Sequence, residues 1–324
     1  MIYLSNGHEL EYVIASGALA YDGKGWPHEW PLRWLGFIKP ELFTVVTKTL
    51  TLKPRPGNMR WWNPLTWLPF SPWSCVRTIP GGTVNKVGLT NPGFDKWVRK
   101  VGRKLRWDDP IKLIVSLYGT QEELVAMVKR LEEEHICVVG IELNPSCPNT
   151  GHDFDEISVI VASVKAVKAV TQLPIILKVS VAQNHGKIVQ QLEDIIEAVS
   201  FNSVPWHIMY PNTKSPLWLL EKKVKGGGGG ISGKPAQQEN WHAVAYQALE
   251  VHAAPVIAPS IMDYHDIDHV YALGARAVHF GAIHLPDHPV WKKPWTIFTN
   301  PCKPTRFVLR KLEEKNRRNL LSNV

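Results

Sequence analysis

Eight short runs of β-branched and apolar residues alternate with longer segments of helical period along these 324 residues. No other feature of the chain restricts its fold as tightly. The runs cover residues 12–15, 43–47, 112–117, 138–143, 174–178, 198–201, 255–258 and 277–280. Between them, residues 93–105, 121–135, 155–170, 237–252 and 263–273 space apolar side chains three and four apart, the stripe a helix needs to lie on a sheet. At Thr120-Gln-Glu-Glu123 the pattern of a capping box marks one helix start. Strands separated by helices pair in parallel, either as a closed barrel or as an open doubly wound sheet. The open sheet calls for a glycine fingerprint after its first strand, and here the first run leads into Ala15-Ser16-Gly17 instead. The expected fold is a (β/α)8 TIM barrel, one domain spanning residues 1–324.

Two stretches fall outside this rhythm. Residues 54–83, after the second run, interleave Trp61, Trp62, Trp67, Phe70 and Trp73 with Pro64, Pro69 and Pro72. The prolines forbid a continuous helix. The stretch reads as an insertion or lid packed by its own aromatics, with contact to a membrane surface, a quinone or a partner as the sharper reading. Residues 306–324 read as a basic amphipathic helix that closes the barrel.

Charge and sulfur narrow the function classes further. A formal net charge of +8 favours anionic ligands, nucleic acid or an acidic surface without choosing among them. Cys75, Cys137, Cys147 and Cys302 are scattered and form no CxxC pair. Neither a disulfide framework nor a cysteine zinc site is expected, and a reducing compartment fits. No charged start leads into an apolar run, and no uninterrupted apolar stretch reaches about 18 residues. The chain reads as cytoplasmic, with membrane association through the aromatic insertion as a variant.

Barrel enzymes work at the carboxyl ends of their strands, and polar residues gather there. Ser16 follows the first run, Lys48 ends the second, residues 144–149 follow the fourth, and Lys178 ends the fifth. Asn202 and Ser203 follow the sixth, Ser260 the seventh, and Gly281 ends the eighth. Each alone is an ordinary loop cap or surface charge; their common rim points to a site. Asn144-Pro-Ser-Cys-Pro-Asn149 is the most informative segment. Flanking prolines restrict the backbone around Cys147 and so fix its position. A thiol becomes a useful base as its pKa falls from about 8.5 toward neutrality. The two asparagines offer donors and acceptors matched to a planar ring bearing amides and carbonyls. The plainer reading of Cys147 is an inert, half-buried thiol.

At this segment the sequence resembles the dihydroorotate dehydrogenase family, and its SCPN cysteine resembles the class 1 branch; class 2 enzymes carry a serine there. The resemblance runs from Ala15-Ser-Gly17 through Thr47-Lys48-Thr49, Arg55-Pro-Gly-Asn58, Asn85-Lys-Val-Gly-Leu-Thr-Asn-Pro-Gly93 and the SCPN loop. It continues through Leu177-Lys178, Asn202-Ser203 and Gly227-Gly-Gly-Gly-Ile-Ser-Gly233 to Phe280-Gly281. The Trp-rich insertion and the far tail lie outside it.

The resemblance implies FMN at the rim with a dihydropyrimidine stacked on its ring. Cys147, with Ser146 beside it, would take the C5 proton while C6 delivers hydride to flavin N5. Lys48, Asn85, Asn144, Asn149, Asn202 and Ser203 would bind the pyrimidine, and the backbone of Val87, Gly88 and Leu89 its carboxylate. Cofactor contacts are implied at Ala15, Ser16, Gly17, Lys48, Thr49, Asn144, Lys178, Asn202, Gly229, Gly230, Ser260, Ile261, Gly281 and Ala282. A cation at Lys178 would stabilise the anionic reduced flavin. Fumarate, a quinone and a partner subunit are all open as electron acceptor, and a homodimer is implied.

The chain departs from the family's pattern at the phosphate. Where a glycine pair commonly follows strand seven, it reads Ala258-Pro-Ser-Ile261, and Ala282 replaces a hydroxyl residue after strand eight. Gly228 to Lys234 fits GxxxxGK, but Pro235 stands where a P-loop needs serine or threonine. His265/His269 and His284/His288 have i,i+4 spacing without a third ligand, so no metal is expected. Three other functions stay open: another dihydropyrimidine as substrate, tRNA dihydrouridine synthase, and a non-catalytic barrel that binds a ligand or membrane through the aromatic insertion. Against the synthase, whose loop resembles NxGCP with a nearby lysine, Ser146 stands for that glycine and no lysine precedes Lys165. No nucleic-acid partner is expected.

Overall fold

The computed structural model describes residues 1–59, 75–145, 157–218, 228–286, 292–293 and 295–322. Eight parallel strands close into a barrel in chain order: Tyr12–Ile14, Thr44–Val46, Lys112–Leu117, Gly140–Leu143, Ile175–Val179, Ala198–Phe201, Val256–Ala258 and Ala277–Phe280. The last strand pairs with the first, Phe280 opposite Ile14. The (β/α)8 fold is the one the alternation predicts, and each strand lies within a residue of an expected run.

Helices Phe94–Lys100, Gln121–Glu133, Ile157–Lys168, Gln237–Tyr246 and Tyr264–Ala272 occupy the expected segments. The capping box at Thr120 is present: its hydroxyl accepts from Glu123 N at 3.3 Å, and Glu123 Oε2 accepts from Thr120 N at 3.1 Å. A long terminal helix, Lys303–Ser322, begins three residues before the predicted start and packs against Tyr264–Ala272. There Lys311 pairs with Asp268, and Arg310 lies 3.9 Å above the Tyr264 ring.

Side chains alternate across each strand, so every second residue points into the barrel. Val13, Val46, Ile114, Ile176, Ala198, Ile257 and Ala277 form an apolar floor there, closed from below by Ile2, Leu4 and Leu10 of the N-terminal hairpin. Leu113, Val115, Leu117, Ile175, Leu177 and Val179 face outward into the larger core beneath the helices. Two residues further along most of the inward rows the chemistry changes. Lys48, Ser116, Lys178, Ser200 and His279 follow Val46, Ile114, Ile176, Ala198 and Ala277, and Glu142 occupies the same layer on the fourth strand. A polar storey therefore stands on an apolar one, immediately below the rim.

A second sheet covers part of that rim, and the periodicity gave no sign of it. Val204–Pro205, Gly230–Gly233, Gly82–Asn85 and Val76–Ile79 pair antiparallel in that order. The end of the expected 54–83 insertion is thus a regular β-hairpin turning at Pro80 and Gly81. Residues 60–74, with the tryptophans, lie outside the described residues. Before them, residues 55–59 clamp the loop at 86–91. Arg55 pairs with Asn91, Asn58 N donates to Val87 O at 2.9 Å, and Met59 N donates to Thr90 Oγ1 at 3.1 Å. Only glycine fits at position 57, since a Cβ would stand 2.1 Å from Thr90 Oγ1.

Candidate active site

A cavity of about 410 Å³ opens between the rim and the antiparallel sheet. Of the residues singled out in the sequence, Ala15, Ser16, Gly17, Lys48, Thr49, Asn85, Val87, Gly88, Leu89, Asn144, Lys178, Asn202, Ser203, Ser260, Gly281 and Ala282 all line it. Strand alternation delivers Lys48 and Lys178; the second sheet delivers Asn85; the clamped loop delivers residues 87–89. Within that loop Gly88 and Leu89 take φ values of 68° and 56° in succession. A left-handed leucine is strained, and the clamp from residues 55–59 holds it in place.

Below the cavity the polar storey forms one directed chain. Glu142, whose carboxylate pairs with Lys178, serves as the acceptor at its end. Its Oε1 accepts a hydrogen bond from the Ser116 hydroxyl at 2.7 Å and lies 3.4 Å from Lys178 Nζ. Ser116 Oγ must then accept from Thr49 Oγ1 at 2.9 Å. Thr49 in turn accepts from Ser16 Oγ at 3.0 Å and from Asn144 Nδ2 at 3.3 Å. The last bond fixes the Asn144 amide, whose Oδ1 accepts from Asn202 Nδ2 at 3.1 Å. Asn202 Oδ1 is occupied by the amide of Ser203. Rim residues from strands one, two, four and six are thereby set by a single carboxylate.

Electrostatics on the wall follow from burial. His279 is fully enclosed, and desolvation, then the neighbouring charge of Lys178, hold its ring well below the usual imidazole range, so it is neutral. Cys75 lies behind the wall, where burial pushes its thiol up to about 11 despite Lys48 and Arg77 nearby. Five buried polar atoms on the wall have no hydrogen-bond partner among the described residues: Thr83 Oγ1, Asn240 Oδ1, His279 Nε2, and Nδ1 and Nε2 of His284. Unsatisfied groups are costly and uncommon in native interiors. Their concentration here fits a cavity built to receive a large polar ligand, as the lysine and asparagine set does.

Three proposed cofactor contacts stand elsewhere. Ile261 is buried in the outer core. Gly229 and Gly230 pack against Asn85, with Asn85 Nδ2 donating to Gly230 O at 3.3 Å. Ser232 and Gly233, next along that strand, reach the cavity instead, and strand pairing leaves no P-loop cradle. Ser146, Cys147 and Asn149 lie outside the described residues. The sequence reading missed Glu142, Ser116, Thr83, Asn240, His279 and the buried pair Glu29 and His284. Inward position on a strand was the available signal for Glu142, Ser116 and His279. Among the described residues no cluster of three metal-ligating side chains occurs, and no helix is long and apolar enough to cross a membrane.

A closed parallel barrel with lysines and asparagines converging on a cavity at its carboxyl rim defines a (β/α)8-barrel enzyme. The chain matches the Dihydroorotate dehydrogenase family over residues 34–292. It is 32% identical to the dihydroorotate dehydrogenase B (NAD(+)) catalytic subunit of Thermoanaerobacter sp., covering 74% of this chain and 75% of that one. It is 29% identical to the subunit of the same name from Methanocaldococcus jannaschii, covering 77% and 78%. A putative dihydroorotate dehydrogenase A (fumarate) of Aeropyrum pernix is 29% identical over 75% of each chain. The chain belongs to the dihydroorotate dehydrogenase family, flavin-dependent oxidoreductases acting on CH–CH bonds.

Proposed function

We propose that this protein oxidises dihydroorotate to orotate with FMN as its bound cofactor. The observation that carries the reading is the convergence of Lys48, Asn85, Asn144, Lys178 and Asn202 on one cavity wall. FMN supplies the hydride acceptor. Asn85, Asn144 and Asn202 orient the pyrimidine through its amide edges, and the loop at 87–89 holds the carboxylate that distinguishes dihydroorotate from dihydrouracil. Lys178 keeps a positive charge on the cavity floor where negative charge develops. Cys147, three residues beyond the anchored Asn144, removes the C5 proton. The names of the relatives divide between NAD(+) and fumarate as acceptor, and a homodimer is part of the same proposal.

The test is anaerobic mixing of the purified protein with dihydroorotate. Flavin absorbance should bleach within the turnover time in the natural protein. In Cys147→Ala it should bleach about 10²-fold or more slowly, the scale of a lost general base, with FMN retained. Equal rates would remove Cys147 from the role, and no bleaching in the natural protein would remove dihydroorotate. Reoxidation with fumarate, a quinone or NAD(+) in turn assigns the acceptor.

A further inference from the structure

We propose that the face carrying Trp34, Leu35 and Phe37 docks on an anionic lipid surface. The inference stands apart from the dihydroorotate reading. It concerns residues 24–39, after the first strand, and 292–306, after the eighth. Neither stretch belongs to the Trp-rich insertion at 54–83.

The short helix Trp30–Trp34 buries none of its side chains, and Leu32 alone turns toward the core. Trp34, Leu35 and Phe37 are 74%, 70% and 55% exposed, with Trp30 exposed beside them. Their display is fixed by the backbone. The helix ends at Gly36, φ 76°, where Gly36 N donates to Arg33 O at 2.9 Å and Phe37 N to Leu32 O at 2.8 Å. Ile38 and Pro40 are buried just beyond, and Lys39 N donates to Thr305 Oγ1 at 3.1 Å. That bond ties the first stretch to the second, where Trp295 and Phe298 are also more than half exposed. The inner sides of both stretches line the cavity, through Trp26, His28 and Glu29 from one and Ile297 from the other. Large apolar side chains gathered outside one cavity mouth mark a contact site, unlike the single ones scattered over any surface.

Charge indicates what covers them. The two stretches carry Lys24, Arg33, Lys39, Lys292, Lys293 and Arg306 against a single acid, Glu29. Glu29 is buried, its Oε1 3.6 Å from His284 Nδ1 and its Oε2 accepting from Trp26 N at 2.7 Å, so it offsets little of that charge at the surface. Lys24, Lys292, Lys293 and Arg306 are exposed. Aromatic rings flanked by lysine and arginine suit a lipid headgroup layer: the rings enter it and the cations meet its phosphates. The core of a protein–protein interface is, by contrast, depleted of lysine. Docking on this face brings the cavity mouth to the lipid.

Flotation of the full chain with vesicles tests the proposal. The protein should bind vesicles of phosphatidylcholine mixed with phosphatidylglycerol, and not phosphatidylcholine alone. Raising salt from about 0.1 M to about 1 M, which shortens the screening length from about 10 Å to about 3 Å, should release most of it. Trp34→Ser combined with Leu35→Ser should weaken binding about tenfold or more, and Lys292→Glu combined with Lys293→Glu by a similar factor, with melting curves unchanged. If the serine variant does not fold, the charge reversal decides alone. Failure of the natural protein to bind anionic vesicles overturns the proposal. So does undiminished binding by the variants, which would move the contact elsewhere on the chain. A second copy is the rival occupant. A natural dimer that becomes a monomer in the serine variant, read by sedimentation equilibrium, would make this face a subunit interface and overturn the proposal as well.

Discussion

Lys178 Nζ stands 3.4 Å from Glu142 Oε1 inside the barrel, with the two side chains 7% and 1% exposed. Both charges are largely withdrawn from water, so the carboxylate helps make a cation tolerable on the cavity floor. The pair thus links stability to chemistry: the charge available to a ligand depends on a residue that does not line the cavity.

Removing both members should therefore cost less than the two single removals added together. Glu142→Gln, which preserves shape and the Ser116 contact, should destabilise the fold by about 3 kcal/mol by leaving a buried ammonium without its carboxylate. The double variant Glu142→Gln with Lys178→Gln should lose clearly less than the sum of the singles. Urea unfolding of the four proteins measures the coupling. Strict additivity would show that the two charges do not support each other.

Acid should weaken the protein through His279. In the folded state burial holds the ring neutral, whereas in the unfolded chain it takes a proton near the ordinary imidazole value of 6.5. The unfolded state therefore binds more protons below that pH, and stability falls as pH falls, by up to about 1.4 kcal/mol per pH unit for this group. His8 and His185, also lowered by burial, act in the same direction. His279→Gln should flatten, without abolishing, the fall in melting temperature between pH 7 and 5. An unchanged slope would mean that the ring is protonated in the fold.

The barrel was legible because its strands are buried on both faces, which leaves continuous β-branched runs that helical stripes punctuate. The rim was legible for the same reason: polar residues that end such runs have one place to go. The polar storey was harder to see. Glu142 in Gly140–Leu143 and His279 in Ala277–Phe280 look like interruptions until alternation sets them two residues above the apolar floor. The second sheet was missed because its strands run two to four residues and include glycine and proline, without a clear period. The glycine run, read from the sequence as a cofactor contact, instead packs in the structure against Asn85 through Gly229 and Gly230.

That correction gives a test of how Asn85 is held. Gly229 has φ 94°, and a Cβ there would stand 2.6 Å from Asn85 O and 3.3 Å from Leu217 Cδ1. The first contact is with backbone, which cannot swing aside as a side-chain end can. Gly229→Ala therefore combines a strained backbone with displacement of the strand that carries Asn85 to the cavity. Its effect should fall on the substrate side: kcat/KM for dihydroorotate drops about tenfold or more, as for one misplaced amide contact, while FMN stays bound. If FMN affinity fell and kcat/KM per bound flavin did not, Gly229 would belong to the cofactor after all, and the second sheet would have no part in positioning substrate.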